Sequence, residues 1–192
     1  MRVIAGIAKG RRLVAPLGDD VRPTTDRTKE ALFSILQPVL IGASVLDLYA
    51  GAGSLGIEAL SRGAAHVTFV ERSRSALASL ARNLAETGLG EGADVQAGDA
   101  LRFLEGDPTG APFDIVLMDP PYGIDRTRLL QVLTAAHRHA GHGATITLEL
   151  GYHGPAPRWP AGVLVDEPRR YGDTVLYVGQ VTGEPRPTRR PS

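Results

Sequence analysis

The sequence predicts an α/β fold: a mostly parallel sheet that is covered by helices on both faces and finishes in an antiparallel pair of strands. From residue 44 onward, short apolar runs alternate with amphipathic segments of helical length, which is the pattern of parallel βαβ units. Near the end, two strand-like runs at 163–165 and 173–178 are joined by a short connection at 167–172. Because a parallel crossover needs a dozen residues or more, these two strands should pair antiparallel.

Ahead of the sheet, the sequence predicts an arm and one helix. Strand-prone residues 2–5 and 12–15 flank the glycine-containing segment 6–11, which favours an extended hairpin arm. The segment Arg22-Pro23-Thr24-Thr25 ends any strand, and residues 26–36 then carry apolar side chains at helical spacing. Thr25 is the predicted N-cap of that helix.

The core is predicted to contain seven strands, counting the C-terminal pair. The first five strands are predicted at residues 44–49, 66–71, 93–97, 113–119 and 144–150. The intervening helices are predicted at residues 54–61, 75–86, 100–104 and, from Asp125 as N-cap, to about 139. Residues 1–182 then form a single domain, with the arm at 1–25 and the core at 26–182. Residues 183–192 have no apolar side chain to bury and are predicted to be disordered.

The composition excludes several classes of protein. Hydrophobic residues make up 43% of the 192 residues and the mean hydropathy is −0.05, and no apolar run approaches the roughly 18 residues of a membrane span. The N-terminus lacks the apolar run of a secretion signal, so we expect a cytoplasmic protein, and we expect a monomer. The chain has no Cys, which excludes disulfides and thiolate metal sites; no metal site is predicted.

Charge is distributed unevenly along the chain. The net charge is zero, yet the first 30 residues hold seven basic and four acidic side chains, a net charge of +3. Arg169 and Arg170 form a second basic cluster, and further arginines lie in the tail. Such patches can neutralise the phosphates of a nucleic acid. An ordinary solvated surface is the alternative interpretation.

A glycine loop follows the first predicted strand directly. Gly51, Gly53 and Gly56 match the pattern Gly-x-Gly-x-x-Gly, and Glu71 lies 20 residues after Gly51 at the end of the next strand. Glycines serve where a strand turns sharply into a helix and the backbone must approach a ligand. The loop therefore predicts a nucleoside-cofactor site, with a dinucleotide as one possible occupant.

Two further acids favour S-adenosylmethionine over a dinucleotide. Asp47 lies in the strand just before the loop, where a carboxylate suits the cationic methionine group and would be unfavourable opposite a pyrophosphate. Glu71 can hold the ribose hydroxyls of either cofactor. Asp99 can accept a hydrogen bond from the adenine amino group, or it can simply cap the next helix. The predicted cofactor site is completed by Tyr49, Arg72 and Ala100.

The tetrapeptide Asp119-Pro120-Pro121-Tyr122 ends the fourth predicted strand, at the sheet edge where open α/β folds bind ligands. The Asp119 carboxylate and the Pro120 carbonyl could accept both N–H bonds of an exocyclic amino group, and the prolines keep these acceptors preorganised. Tyr122 offers a face on which a base can stack. The tetrapeptide thus predicts methyl transfer to an aromatic amino group without metal or covalent intermediate; a simple turn is the alternative.

Two other features are assigned no function. His137, His139 and His142 are close in sequence, but they fall near a predicted helix end without an acidic partner, where cations suit the helix dipole, so a structural role is expected. Trp159, flanked by Pro157 and Pro160, is not assigned.

With these residues in view, the chain resembles the RsmD family of bacterial 16S rRNA guanine-N2 methyltransferases over residues 1 to about 180. The resemblance is carried by Arg2-Val3-Ile4-Ala5-Gly6 with Lys9-Gly10-Arg11, by 22–33, by the glycine loop at 46–56, by 58–64 and by Asp119-Pro120-Pro121-Tyr122. The N-terminal blocks are the specific part. The tail after Thr182 departs from the family.

A mostly parallel sheet with an antiparallel C-terminal hairpin is the architecture of class I methyltransferases, which the resemblance also implies, and the resemblance gives the arm a role. S-adenosylmethionine would donate a methyl group to N2 of a guanine in 16S rRNA, within the small ribosomal subunit or its assembly intermediate. Phosphates of the rRNA would be bound by Arg2, Lys9, Arg11 and Arg12. Near the cofactor and the target base would lie Arg22, Thr24 and Arg27.

Other functions remain open at this point. The same chemistry could act on DNA adenine or on a protein glutamine, although a DNA enzyme usually carries a recognition insertion, for which residues 88–114 and 123–143 leave little room. A dinucleotide-dependent oxidoreductase and a non-catalytic RNA-binding module are alternatives from other classes.

Overall fold

The computed structural model describes residues 1–16, 26–106 and 108–183 and shows one sheet with helices on both faces. The strands are β1 Ser44–Leu48, β2 His66–Glu71, β3 Ala93–Ala97, β4 Phe113–Met118, β5 Ala140–Gly151, β6 Val163–Val165, β7 Arg169–Tyr171 and β8 Thr174–Val181. The helices are α1 Asp26–Leu40, α2 Ser54–Ser61, α3 Arg74–Thr87, α4 Ala100–Glu105 and α5 Arg126–His139. No helix in this described part of the chain is long and apolar enough to cross a membrane.

The sheet has the predicted mixed topology. Its strands run in the order β3-β2-β1-β4-β5-β8-β6, with β7 also paired to β8. The first five are parallel, whereas β8 pairs antiparallel with β5, β6 and β7. The antiparallel C-terminal pair is therefore confirmed, and the seven strands of the main path were expected. β7 is an additional, eighth strand, which lies within the segment that was predicted to be only a connection.

Each face of the sheet carries its own apolar core. One core lies between the sheet and α1, α2 and α3, and it contains Phe33, Ile57 and Phe69. The other lies under α4 and α5 and contains Leu133 and Leu148. The two cores explain why β1 and β4 are apolar at nearly every position, since a strand at the centre of a doubly covered sheet exposes neither face.

The arm is packed against α2 instead of extending from the fold. Its only ladder contact among the described residues is one antiparallel bridge between Arg2 and Arg12, so the two predicted strands are reduced to a bridge. The backbone N–H groups of Ile4 and Ala5 donate to Glu58 at 2.7 and 3.0 Å. These partly buried bonds, together with the buried side chains Val3, Ala8 and Leu13, make the arm part of the core.

The arm runs along α2 from the amino ends of the parallel strands to their carboxyl ends. Its turn lies at the C-terminus of α2, where the Ile7 N–H donates to the Ser61 carbonyl at 2.8 Å. Its exit lies at the glycine loop, because the buried Asn83 amide donates to the carbonyls of both Val14 and Ala52. The end of the arm therefore lies at the carboxyl end of β1, next to the glycine loop. The predicted cap Thr25 lies outside the described residues.

Candidate active site

The register of the sheet places the predicted site residues together at the carboxyl ends of the parallel strands. Leu48 at the end of β1 is level with Met118 at the end of β4, and Met118 is level with Leu148 of β5. Because the strands are parallel, the segments that follow β1, β2, β3 and β4 all begin on this edge. The glycine loop, Glu71, Asp99 and Asp119 are thus gathered around one cleft, as open α/β sheets gather ligand-binding groups.

The backbone of the glycine loop is left-handed at three positions. Tyr49 has φ 63°, Gly51 φ 57° and Gly53 φ 83°. A side chain at Gly51 would meet nothing within 4 Å, whereas one at Gly53 would collide with Leu80. Gly51 therefore leaves open space for a ligand and Gly53 permits close packing of α2. Tyr49 holds a conformation that is unfavourable for a non-glycine residue, a kind of strain found mainly at functional sites.

Asp47 lies beneath this loop and caps α2. Its side chain is only 1% exposed, and its Oδ2 accepts the N–H of Gly56 at 2.9 Å. Gly53, the N-cap residue, has no side chain to do this, so the carboxylate of the preceding strand satisfies one of the free N–H groups of the helix. Burial raises the pKa of Asp47 to about 8, and the negative charges of Asp119 and Glu71 add to the increase.

Glu71 fixes the other end of the loop. Its Oε2 accepts the N–H of Gly51 at 2.8 Å, while its Oε1 accepts the N–H groups of Arg72 and Ser73 at 2.8 and 2.7 Å. The side chain of Arg72, a predicted cofactor residue, is exposed. The carboxylate of Glu71 is therefore oriented by three backbone groups at the mouth of the loop.

Asp99 is the N-cap of α4, which agrees with the alternative interpretation made from the sequence. Its Oδ1 accepts the N–H groups of Leu101 and Arg102, both at 3.1 Å, and it also forms an ion pair with Arg128 of α5. Partial burial opposes ionisation, but the bonds from Arg102, Arg128 and Leu101 lower the pKa of Asp99 overall. The predicted contact with adenine stays a prediction.

Tyr49 lies near enough to Asp99 for the charge of this carboxylate to act on its hydroxyl. Burial, and then the charge of Asp99, raise the pKa of Tyr49 to about 12, against the opposing charges of Arg128 and Arg72. Its hydroxyl therefore stays protonated over the whole physiological range. Ala100, the other predicted cofactor residue here, is buried at the start of α4.

Asp119-Pro120-Pro121-Tyr122 follows β4 at the centre of the same edge. Asp119 is half-buried and Pro120 is buried, whereas Pro121 is exposed and Tyr122 is 62% exposed. The Tyr122 ring lies so close to Gly151, at the end of β5, that a Cβ added there would come within 2.9 Å of it. An exposed aromatic ring, on which a base could stack, therefore follows the half-buried carboxylate by three residues.

The structure adds site residues that the sequence analysis missed. Glu149 is buried near the end of β5, directly after Leu148, the register partner of Met118. The sequence signal that could have identified it is an acidic residue within an apolar run. Arg128 pairs with Asp99, and Asn83 joins the arm to the glycine loop. For the last two no local signal exists, because α5 and α3 approach the cleft only in the folded chain.

The predicted RNA-binding residues fall into different environments. Lys9, Arg11, Arg12 and Arg27 are exposed. Arg2 donates to Asp26 of α1 at 2.9 Å, with both side chains accessible to solvent. Arg22 and Thr24 lie outside the described residues. Lys9 belongs to the turn at the far end of α2, whereas Arg2 and Arg12 face each other nearer to the cleft.

The histidines and Trp159 lie away from the cleft. His137 is buried, and burial lowers its pKa; a nitrogen of the His139 ring lies 2.8 Å from the Leu104 carbonyl. Across the described ranges, no three His, Asp or Glu side chains form a group that could hold a metal ion. Trp159 packs against Gly179 of β8, a structural role that accounts for a residue left unassigned by the sequence analysis.

Comparisons with known proteins agree with this geometry. The chain is 37% identical over 186 residues to the Bacillus subtilis protein "Putative rRNA methyltransferase YlbH", covering 95% of this chain and 100% of that protein. It is 44% identical over 122 residues to "Ribosomal RNA small subunit methyltransferase D" of Escherichia coli, covering 64% of this chain and 60% of that protein. Among solved structures, "Putative methyltransferase yhhF from Escherichia coli" matches with a TM-score of 0.83 and 33% identity over 95% of this chain and 98% of that one.

The fold is therefore that of the class I methyltransferases, as the sequence predicted. A family model, described as "Conserved hypothetical protein 95", matches residues 1–180. This span includes the arm, the glycine loop and Asp119-Pro120-Pro121-Tyr122, the same features that carried the resemblance. The chain belongs to this family, the RsmD family.

Proposed function

We propose that this chain transfers the methyl group of S-adenosylmethionine to the exocyclic N2 amino group of a guanine in 16S rRNA, with the small ribosomal subunit or its assembly intermediate as substrate. Methyl transfer to small-subunit rRNA is supported by family membership and by the names of the relatives. One observation supports this chemistry most directly. Met118 and Leu48, the last residues of β4 and β1, are register partners, so Asp119 begins beside Tyr49 and the glycine loop.

The cleft fits such a cofactor. Gly51 leaves open space where its side chain would stand. The carboxylates of Glu71 and Asp99 lie near the loop, and the carboxyl group of Asp47 is buried beneath it. An acidic cleft suits a ligand that is cationic at its sulfonium and ammonium groups. When bound, the cofactor would supply an electrophilic methyl group. We assign the methionine part to the loop above Asp47, the ribose to Glu71 and the adenine to the neighbourhood of Asp99 and Tyr49.

The protein's own contribution is to position the amino group. Asp119 and the Pro120 carbonyl would accept its two N–H bonds, and Tyr122 would stack on the base. Positioning of this kind can lower a barrier by ~7 to 11 kcal/mol. The choice of guanine N2 over other amino groups rests on the resemblance to the family.

Methyl transfer from radioactive S-adenosylmethionine to small subunits isolated from cells lacking this protein tests the proposal, with mass spectrometry to locate the modified nucleotide. A single new N2-methylguanine in 16S rRNA is expected. Asp119→Ala should reduce transfer by about a hundredfold or more, the effect of removing one preorganised hydrogen-bonding group from other active sites, while calorimetry still shows binding of S-adenosylhomocysteine. Binding of NAD in its place, or undiminished transfer by the variant, would contradict the proposal.

A further inference from the structure

An exposed stack of Arg170 on Tyr152 stands beside the candidate active site. The guanidinium carbon of Arg170 lies 3.3 Å from the centre of the Tyr152 ring, and Arg170 Nε donates to the Gly172 carbonyl at 2.8 Å. The guanidinium is thus held flat against a ring by two contacts, and neither contact neutralises its charge. Arg170 is exposed, and Tyr152 is 43% exposed.

The sheet explains why these two side chains meet. Arg170 of β7 and Leu150 of β5 are both register partners of Val175 in β8, so Arg170 and Leu150 lie on the same face of the sheet. Tyr152 is two residues after Leu150 and therefore returns to that face. Its backbone N–H donates to the Asp173 carbonyl at 2.8 Å, which ties the end of β5 to the β7–β8 turn.

The stack is also joined to the catalytic segment. Gly151, the residue before Tyr152, is in contact with the Tyr122 ring. Arg126, at the start of α5, donates to the carbonyls of Pro155 and Ala156 and so fixes the loop that follows Tyr152. Because successive side chains point to opposite faces of a strand, Tyr122 lies on the face of Gly151 opposite to Tyr152, so Tyr122 and the stack flank the end of β5 on its two sides.

We propose that Arg170 and Tyr152 form a stacking platform for an unpaired RNA base that flanks the target guanine. The outer plane of a guanidinium is a surface on which RNA bases stack, and its charge can meet the neighbouring phosphate. This platform lies on the α5 side of the cleft, opposite the arm, so the RNA would be held on both sides of the methylated nucleotide. The inference rests on the proposed function and adds a second contact to it.

Kinetics with the small subunit as varied substrate test the platform. Arg170→Ala and Tyr152→Ala should each raise KM for the subunit about tenfold, within the range measured for base stacking, with little change in kcat or in affinity for S-adenosylhomocysteine. Because the two side chains form one stack, the double variant should raise KM little more than either single variant. Arg138→Ala is the matched control, since Arg138 is an exposed arginine in the last turn of α5 at the opposite edge of the sheet.

Arg170→Lys separates stacking from charge. It keeps the positive charge, so the dependence of KM on salt should stay that of the wild type, while KM itself rises because an ammonium has no plane on which to stack. A KM equal to that of the wild type in Arg170→Lys, or in Arg170→Ala, would overturn the platform. So would wild-type binding of protein-free 16S rRNA by a variant with a raised KM, which would mean that this surface contacts a ribosomal protein.

The same data distinguish the two proposals. If the wild-type protein transfers no methyl group to the subunit, the proposed function fails. If it does so and the platform variants match Arg138→Ala, only the platform fails.

Discussion

At the scale of single residues, the two acids next to the glycine loop accept hydrogen bonds from the protein's own backbone in addition to the ligand contacts that we propose for them. Asp47 accepts an N–H of α2 and Glu71 accepts an N–H of Gly51, so both acids help to hold the loop in its shape. The first bond joins residues 9 apart in the sequence and the second joins residues 20 apart. A preformed loop reduces the ordering that binding would otherwise require.

The buried carboxyl of Asp47 should make stability depend on pH. Its pKa is raised from 3.8 to about 8, so between these values the folded state retains a proton that the unfolded chain has released. The Asp47 contribution is therefore fully present below pH 3.8 and is lost as the pH rises through about 8. Asp47→Asn removes the titration but keeps an oxygen that can accept the Gly56 N–H.

Urea unfolding of both proteins across this pH window tests the expectation. The stability difference should shift in favour of Asp47→Asn as the pH increases. Curves that stay parallel would mean that Asp47 is ionised in the folded protein throughout.

Alanine substitutions at two glycines of this region should have different consequences, a loss of stability at Gly56 and a loss of cofactor affinity at Gly51. A Cβ at Gly56 would collide with Phe69 and come within 2.9 Å of Asp47 Oδ2, so Gly56→Ala should cost about 1–3 kcal/mol of stability, as overpacking does. A Cβ at Gly51 would point into open space, so Gly51→Ala should cost only the ~1 kcal/mol of a left-handed alanine.

Calorimetry with S-adenosylhomocysteine then separates the two variants. Gly51→Ala should fold and lose most of its cofactor affinity, because the new methyl group occupies the ligand's space. Tight binding by this variant would show that the cofactor lies elsewhere.

At the scale of elements, a buried charge cluster joins the arm, α1 and α2. Lys29 and Glu58 are 1% and 0% exposed and form an ion pair at 3.3 Å, and Lys29 also donates to the Arg2 carbonyl at 2.6 Å. Arg62 completes the cluster with a 2.7 Å ion pair to Glu58. Burial lowers the pKa of Lys29, against the attraction of Glu58.

Removing either partner alone should be costly. Glu58→Gln leaves Lys29 buried without its counter-charge, and loss of one member of a buried pair typically costs about 3–5 kcal/mol. Lys29→Met should cost a similar amount, and the double variant less than the sum of the two. Urea unfolding of all four proteins measures the coupling, and simple additivity would contradict a direct interaction. Arg82→Ala, which breaks an exposed ion pair with Glu86, is the control with an expected cost below about 1 kcal/mol.

Local signals predicted the elements whose boundaries are marked by turn residues. The bounds of α2, β2 and β3 agree with those expected from the sequence, since glycines or caps flank them. The prediction was less accurate where packing continues past a local stop. α1 runs beyond residue 36 to Leu40, through Pro38 in its last turn, because Leu36 and Leu40 are both fully buried. β7 was missed because two consecutive arginines carry no strand pattern and pair only once β8 is in place.

At the scale of the whole molecule, a chain of zero net charge concentrates positive charge near one face of the cleft. The arm carries Arg2 and Arg12 part of the way along α2 toward the glycine loop. Lys9 lies in the turn at the other end of α2, and Arg11 directly follows that turn. A substrate with phosphates would therefore meet Arg2 and Arg12 before Lys9. The sequence gives no reason to distinguish the four cations of the arm, but their substitutions should change KM for the subunit by different amounts.

Charge reversal measures this difference. The double variant Arg11→Glu, Arg12→Glu should raise KM for the subunit and should lower the dependence of KM on salt by about one to two phosphate contacts. Lys9→Glu should have a distinctly smaller effect. Equal effects of the two proteins would mean that the RNA follows the whole arm, and no effect of the double variant at low salt would exclude the arm from substrate binding.

The alternation of strands and helices, the glycine loop and the tetrapeptide were predictable from local sequence, because each depends on neighbours within a few residues. The folded chain was needed to show that Asp47 is buried as the cap of α2, that the arm is bound to α2 through Glu58, and that Arg170 lies on Tyr152. These contacts join residues from different strands and helices, and their energies depend on burial, which no local pattern specifies.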